Sequence, residues 1–221
     1  MSHIEGEEAY LDDLQREFSR QFAVPKPRAY GRQGIRHQGY SDNAKGVQWN
    51  TGLDRERGVW TLGVNLEGMK YDAWPIARFI ETERTDSALP WLVEHLSQPG
   101  DIELWLEREA WQVSARPPIK ENAIGLEQPP VPLDTLEKET WLNMLEEAYD
   151  CLDPSHGHRG RAKQTVTLTK AGKTEKEVAP HLQFKIVMRE FSRGTICESL
   201  ATAKEKMLPV YVYVRLKAAA C

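Results

Sequence analysis

The sequence predicts an α+β fold: a mainly antiparallel sheet built from hairpins, with helices packed on it. Three observations carry that expectation. Residues 47–53 and 58–66 read as two strands around the short polar connection Asp54, Arg55, Glu56 and Arg57, closed by Gly58. Residues 164–169 and 178–188 read as a second hairpin around the Lys-rich turn at Gly172. The helical segments between these strands follow no regular βαβ rhythm, which disfavours a doubly wound sheet.

At the N-terminal end, Leu11, Leu14, Phe18 and Phe22 recur at spacings of three and four, the apolar stripe of a helix, with Ser2 and Glu5 placed as its capping box. Residues 24–46 hold Pro25, Pro27, Gly31, Gly34, Gly39 and Gly46, which break every period, so a loop or arm with outward basic side chains is expected. In 58–66, Trp60, Leu62, Val64 and Leu66 alternate with Thr61, Gly63 and Asn65, which predicts one buried face and one small polar face open to close approach. Asp72 and Pro75 start a helix through Ile76, Phe79 and Ile80, and a second helix carries Leu89, Leu92, Val93 and Leu96 before Gly100. Ile102, Leu104 and Leu106 alternate as a strand.

The long connection through Pro117, Pro118, Pro129, Pro130 and Pro132 makes 114–133 the only candidate boundary in what otherwise reads as one domain spanning 1–221. Asp134 and Glu137 are spaced to cap a helix whose Trp141, Leu142, Met144, Leu145, Ala148 and Tyr149 form a wide, deeply buried stripe. Thr195 and Glu198 cap a helix through Leu200 and Met207, with Pro209 following it. From there Val210, Val212, Val214 and Leu216 alternate with Tyr211, Tyr213, Arg215 and Lys217, which predicts a final strand with an amphipathic face.

Charge is sharply segregated. Residues 24–46 carry Lys26, Arg28, Arg32, Arg36 and Lys45 against Asp42, net +4, and residues 156–176 carry Arg159, Arg161, Lys163, Lys170, Lys173 and Lys176 against Glu175, net +5. The whole chain is −4, so everything else sums to −13. Solubility alone is met by mixing the signs, so two basic loops on an acidic body imply a polyanionic partner, and the pI near 5.9 confines that contact to patches. No apolar run approaches the about 20 residues of a membrane helix, and the acidic start differs from a secretory leader, so a soluble cytoplasmic protein without a membrane partner is expected. Cys151, Cys197 and Cys221 show no paired spacing and are expected as free thiols.

Several constellations could carry chemistry. In Ser-His-Gly-His-Arg-Gly-Arg, His156, His158, Arg159 and Arg161, with Lys163 beyond them, suit phosphate contact on an adaptable backbone, and a histidine there could serve as general acid or base in RNA cleavage. Cys151, His156, His158 and His181 form part of a zinc-like set, without the paired ligand spacing that structural zinc sites show. Around the first hairpin, Asp54, Glu67, Lys70, Glu103 and Glu107 are carboxylates and a cation that neighbouring strands could gather, or plain solvated strand ends. Tyr211, Tyr213 and Arg215 on one strand face would stack bases and hold phosphates, unless helices cover that face and the tyrosines are core.

Gln183 and Lys185, two apart in the strand His-Leu-Gln-Phe-Lys, share one face. That tripeptide resembles the metal-dependent PD-(D/E)xK nucleases, in which a carboxylate or Gln is followed two residues later by Lys on a hairpin strand. The resemblance implies Gln183, Lys185 and an acidic residue as the catalytic set, with Mg2+ as cofactor. Residues 154–174 contain no Asp or Glu, so Asp153 would supply that acid. The expected function is therefore nucleic-acid binding, DNA or RNA, with a nuclease of a restriction or defence system as its catalytic form. The basic contacts would be Arg28, Arg32 and Arg36 with Arg159, Arg161 and Lys163. The alternatives are an RNA-binding or RNA-processing module and a non-catalytic subunit whose seven tryptophans form protein or self-association interfaces.

Overall fold

The computed structural model describes residues 7–30, 37–42, 44, 46–55, 57–66, 75–110, 130–150, 152–153, 161–162, 164–166, 176–188 and 194–219. It has the α+β class with an antiparallel sheet. The helices are α1 (Glu7–Gln21), α2 (Pro75–Thr85), α3 (Leu89–His95), α4 (Lys138–Asp150) and α5 (Ile196–Ala219). The strands are β1 (Arg28–Tyr30), β2 (His37–Ser41), β3 (Val47–Asp54), β4 (Val59–Leu66), β5 (Ile102–Ala110), β6 (Val131–Pro132), β7 (Leu152–Asp153), β8 (Arg161–Ala162), β9 (Gln164–Val166) and β10 (Lys176–Met188).

Eight strands form the main sheet, in the order β1-β2-β3-β4-β10-β5-β6, with β9 beside the start of β10. Val178 pairs with Ala110 of β5 on one side and with Gln164 of β9 on the other, so β9 occupies the flank that β4 takes farther along. The two hairpins read from sequence are both present, β3–β4 and β9–β10. Gly58 turns the first of them with φ +65°, in the left-handed region where glycine meets no Cβ penalty. Strands β7 and β8 form a separate two-stranded ladder. Among the described residues no helix is long and apolar enough to cross a membrane.

One continuous core runs from Leu11 to Ala218, between the sheet and the helices. Because side chains alternate along a strand, Trp49, Leu53, Leu62, Val64, Leu66, Leu104, Phe184 and Ile186 all fall on one sheet face, and α1, α2 and α5 pack there. Aromatic contacts fix the layers. Trp49 stacks on Tyr211 of α5 at 4.6 Å, Tyr10 of α1 lies 6.1 Å from Trp60, and Tyr213 meets Phe79 of α2 and Phe184 of β10 edge-on at 5.7 and 6.3 Å. Such pairs add about 0.5 to 1.5 kcal/mol each beyond their buried area.

Four expectations are corrected. Residues 24–46 are not simply loop: β1 and β2 form a hairpin at the sheet edge within them. Asp134 does not cap α4. It sits in a 3-10 turn (Leu133–Thr135), and Glu137 accepts the first helical bond, from Trp141 N at 2.9 Å. Pro209 lies inside α5 rather than after it. Lacking an N–H, it leaves a carbonyl one turn back without its helical donor, and Glu205 there is exposed to water.

The fourth concerns Val210–Lys217, which is the C-terminal part of α5 and not a strand. Its residues are apolar at nearly every position, so they satisfy a period of two and a helical period alike. Met207, Val210, Val214 and Ala218 already repeat at three and four, and burying that stripe on the sheet decides the matter. The capping pair Ser2 and Glu5 lies outside the described residues, as does all but the end of 114–133, where β6 rejoins the sheet beside β5.

Candidate functional site

The second face of the sheet is polar throughout its centre, and its register can be read strand by strand. One row runs Arg28, Ser41, Asn50, Gly63, Lys185 and Glu103. The next holds Gln48, Asn65, Gln183 and Trp105. On the other side of the first lie Tyr30, Gly39, Gly52, Thr61 and Val187. These side chains are polar yet largely enclosed: Ser41, Gln48, Asn50, Thr61, Asn65 and Lys185 are all buried. A buried polar group is tolerated only when paired, and the amides pair locally. Ser41 Oγ donates to Gln48 Oε1 at 3.2 Å, and Gln48 Nε2 donates to the Ala44 carbonyl at 2.8 Å.

Glycines make this packing feasible. A Cβ on Gly63 would stand 2.6 Å from Asn50 Oδ1 and 3.2 Å from Lys185 Cγ, so the bare strand lets those two side chains close over it. Tyr30 crosses Gly39 and Gly52 to donate from its hydroxyl to the Thr51 carbonyl at 3.2 Å, and burial pushes its phenol pKa up.

At the other end of the rows sits a cationic cluster around an indole. Lys185, only 6% exposed, holds Nζ 4.2 Å from the centroid of the Trp105 ring, where the ring's negative face offsets part of the ammonium's lost hydration. Arg57, from the β3–β4 connection, donates to both oxygens of Glu103 at 2.6 and 2.7 Å, and its guanidinium stands 5.8 Å from the same ring. Trp105 Nε1 donates to Glu103 Oε2 at 3.3 Å. The Glu103 hydrogen bonds raise the Arg57 pKa further, so this cation persists at all working pH values. Chemically, the arrangement holds two cations and one carboxylate around a buried indole, with Arg57 exposed at its rim. Among the described residues no group of three or more His, Cys, Asp or Glu side chains could hold a metal ion.

Several site residues expected from sequence can now be placed. Gln183 and Lys185 do share a face, and Arg28 stands exposed at the far end of the Lys185 row. Asp153 is in β7, paired with Arg161 of β8, and neither belongs to the main sheet. Arg32, Arg36, His156, His158, Arg159 and Lys163 lie outside the described residues. The tyrosine stripe is dispersed by the helix: Tyr213 is buried, Tyr211 is committed to Trp49, and Arg215 is exposed 5.6 Å from the Tyr211 ring. Sequence reading missed Trp105 and Arg57 as members of the cluster. The alternation of Glu103 and Trp105 against Ile102 and Leu104 was the available signal.

No protein-family model, no curated protein and no solved structure matches this chain.

Proposed function

We propose that this chain is a cytoplasmic nucleic-acid-binding protein whose basic segments grip the phosphate backbone from the polar side of the sheet. One observation carries the reading: the first basic segment enters the main sheet through β1 and β2, with Arg28 exposed at its edge, and the second joins the same sheet through β9 and the start of β10. Arg28 on β1 is exposed, whereas Lys185 on β10, four strand spacings or about 19 Å away, is enclosed. The enclosed Lys185 and Trp105 support the rim, holding Arg57 and Glu103 in place. The exposed cations make the contact.

A metal-dependent endonuclease of a restriction or defence system is a second reading, favoured by Gln183 and Lys185 sharing a face with Glu103 in register beside Lys185. Glu103 is already held by Arg57 and Trp105, and the described residues do not fit a divalent-ion site. Binding without cleavage is therefore the stronger form.

The test is binding of labelled single-stranded and duplex DNA and RNA across a salt series, with and without magnesium. Affinity should fall steeply with salt, and neutralising Arg159, Arg161 and Lys163 together should flatten the slope by up to about 0.7 to 0.9 per lost phosphate contact. Failure to bind any of the four at low salt would overturn the proposal. Magnesium-dependent cleavage abolished by Lys185→Ala would establish the nuclease instead.

A further inference from the structure

Among the described residues four large apolar side chains are exposed, and three of them form a line on α5: Leu208 (50%), Val212 (46%) and Leu216 (67%). At helical spacing they lie directly opposite the buried stripe of Met207, Val210, Val214 and Ala218. The same outward line carries exposed Ala201 and Glu205 toward its start and exposed Arg215 and Ala219 toward its end. Among the described residues, neighbouring elements leave it uncovered. Helix α1 sits on one flank, through Arg20 to Cys197 Sγ at 3.1 Å and Gln21 to the Cys197 carbonyl at 2.8 Å. The segments on either side of α3 are tied to the other flank, by Lys206 to Asp101 in the 3-10 turn before β5 and by Lys217 to Asp86 after α2.

We infer that this face is the interface of a two-fold homodimer in which α5 packs antiparallel on α5 of a second copy. The sequence of the face is self-complementary. A two-fold axis at the level of Val210 sets Ala201 opposite Ala219, Glu205 opposite Arg215, and Leu208 opposite Val212, each pair occurring twice as an isologous contact demands. The small residues at both ends let the helices approach over about 27 Å of α5, and each apolar centre meets an apolar centre. Glu205 and Arg215 then form ion pairs flanking the apolar strip.

Because such an axis keeps each flank of α5 facing the same flank of its partner, Leu216 of each copy extends the apolar contact along the edge away from α1, toward Thr202 of the other. An unrelated protein partner would need none of these internal correspondences, and the surface fits a second copy of this chain better than any other occupant.

The experiment is sedimentation equilibrium of the full chain across the micromolar range, with Glu205→Arg and Arg215→Glu measured singly and as an equimolar mixture. The wild type should be a reversible dimer. Each single reversal places like charges opposite each other twice and should weaken self-association at least about tenfold. The mixture restores both opposite-charge pairs in a heterodimer and should regain wild-type affinity. Leu216→Glu should be monomeric with an unchanged melting temperature, since the residue is exposed in the monomer. A wild type that stays monomeric would overturn the inference and leave the strip to a different partner. So would a dimer indifferent to both reversals, or a mixture that does not recover.

Discussion

Glu83 is completely buried in the helix layer, and removing it should be among the most damaging single changes in the protein. Its Oε1 accepts from Ser87 Oγ at 2.7 Å, from the Leu89 backbone N–H at 3.1 Å and from Trp141 Nε1 at 3.2 Å, while Oε2 stands 3.5 Å from Lys217 Nζ. One carboxylate therefore ties α2 to the start of α3, to α4 and to the end of α5. Glu83→Leu strands a buried indole N–H, a buried backbone N–H and an ammonium whose side chain is only 12% exposed. Each neutral orphan costs about 1 to 3 kcal/mol, partly relieved by water, and breaking a buried ion pair from one side costs about 3 to 5. The total should be near 3 to 5 kcal/mol, because Lys217 retains Asp86 and Ser87 can turn to solvent. For a chain of this size that lowers the melting temperature by about 6 to 20 °C. Urea denaturation with an unchanged slope measures it. Glu83→Gln, which keeps the acceptor, should lose markedly less, and Lys217→Met added to Glu83→Leu should recover part of the loss by removing the stranded charge. A Leu variant within about 1 kcal/mol of wild type would refute the claim that this node holds the helices together.

Gly52→Ala should destabilise by about 1 to 3 kcal/mol or more, since the new methyl would stand 2.4 Å from the Gln38 carbonyl oxygen and 2.8 Å from the Tyr30 hydroxyl; an unchanged denaturation midpoint would show that β2 and Tyr30 yield freely. Tyr213 has its phenol pKa raised by burial and by the Glu83 charge it faces without hydrogen-bond geometry, so the folded state keeps a proton that the unfolded chain releases. Wild-type stability should therefore fall as pH rises through and beyond about 10, and Tyr213→Phe should show a shallower loss. A melting-temperature difference between the two that does not widen with pH over that range would contradict the assignment.

Much of the fold was legible because strands and helices announce themselves by period. The apolar alternation of β4, the glycine after Arg57, the stripe of α1 and the wide stripe of α4 all follow from local spacing. The basic clusters and the shared face of Gln183 and Lys185 were equally visible, because a face is defined by a period of two within one strand.

What only the tertiary structure decided was everything that depends on a neighbour distant in sequence. Val210–Lys217 is compatible with two periods, and it became helix because Trp49, Phe79 and Phe184, far apart in the chain, surround Tyr211 and Tyr213. The glycines and prolines of 24–46 spoke for loop, yet the pairing of β2 with β3 and of β1 with β2 supplies backbone hydrogen bonds that outweigh local preference. Trp105 came to lie beside Lys185 through the register of β5 against β10, and Arg57 reaches Glu103 from the β3–β4 connection, neither of which a single strand encodes. Local periodicity determines which side chains share a face. Which faces meet depends on chain closure, because the free energy of burial is realised only when distant segments come together.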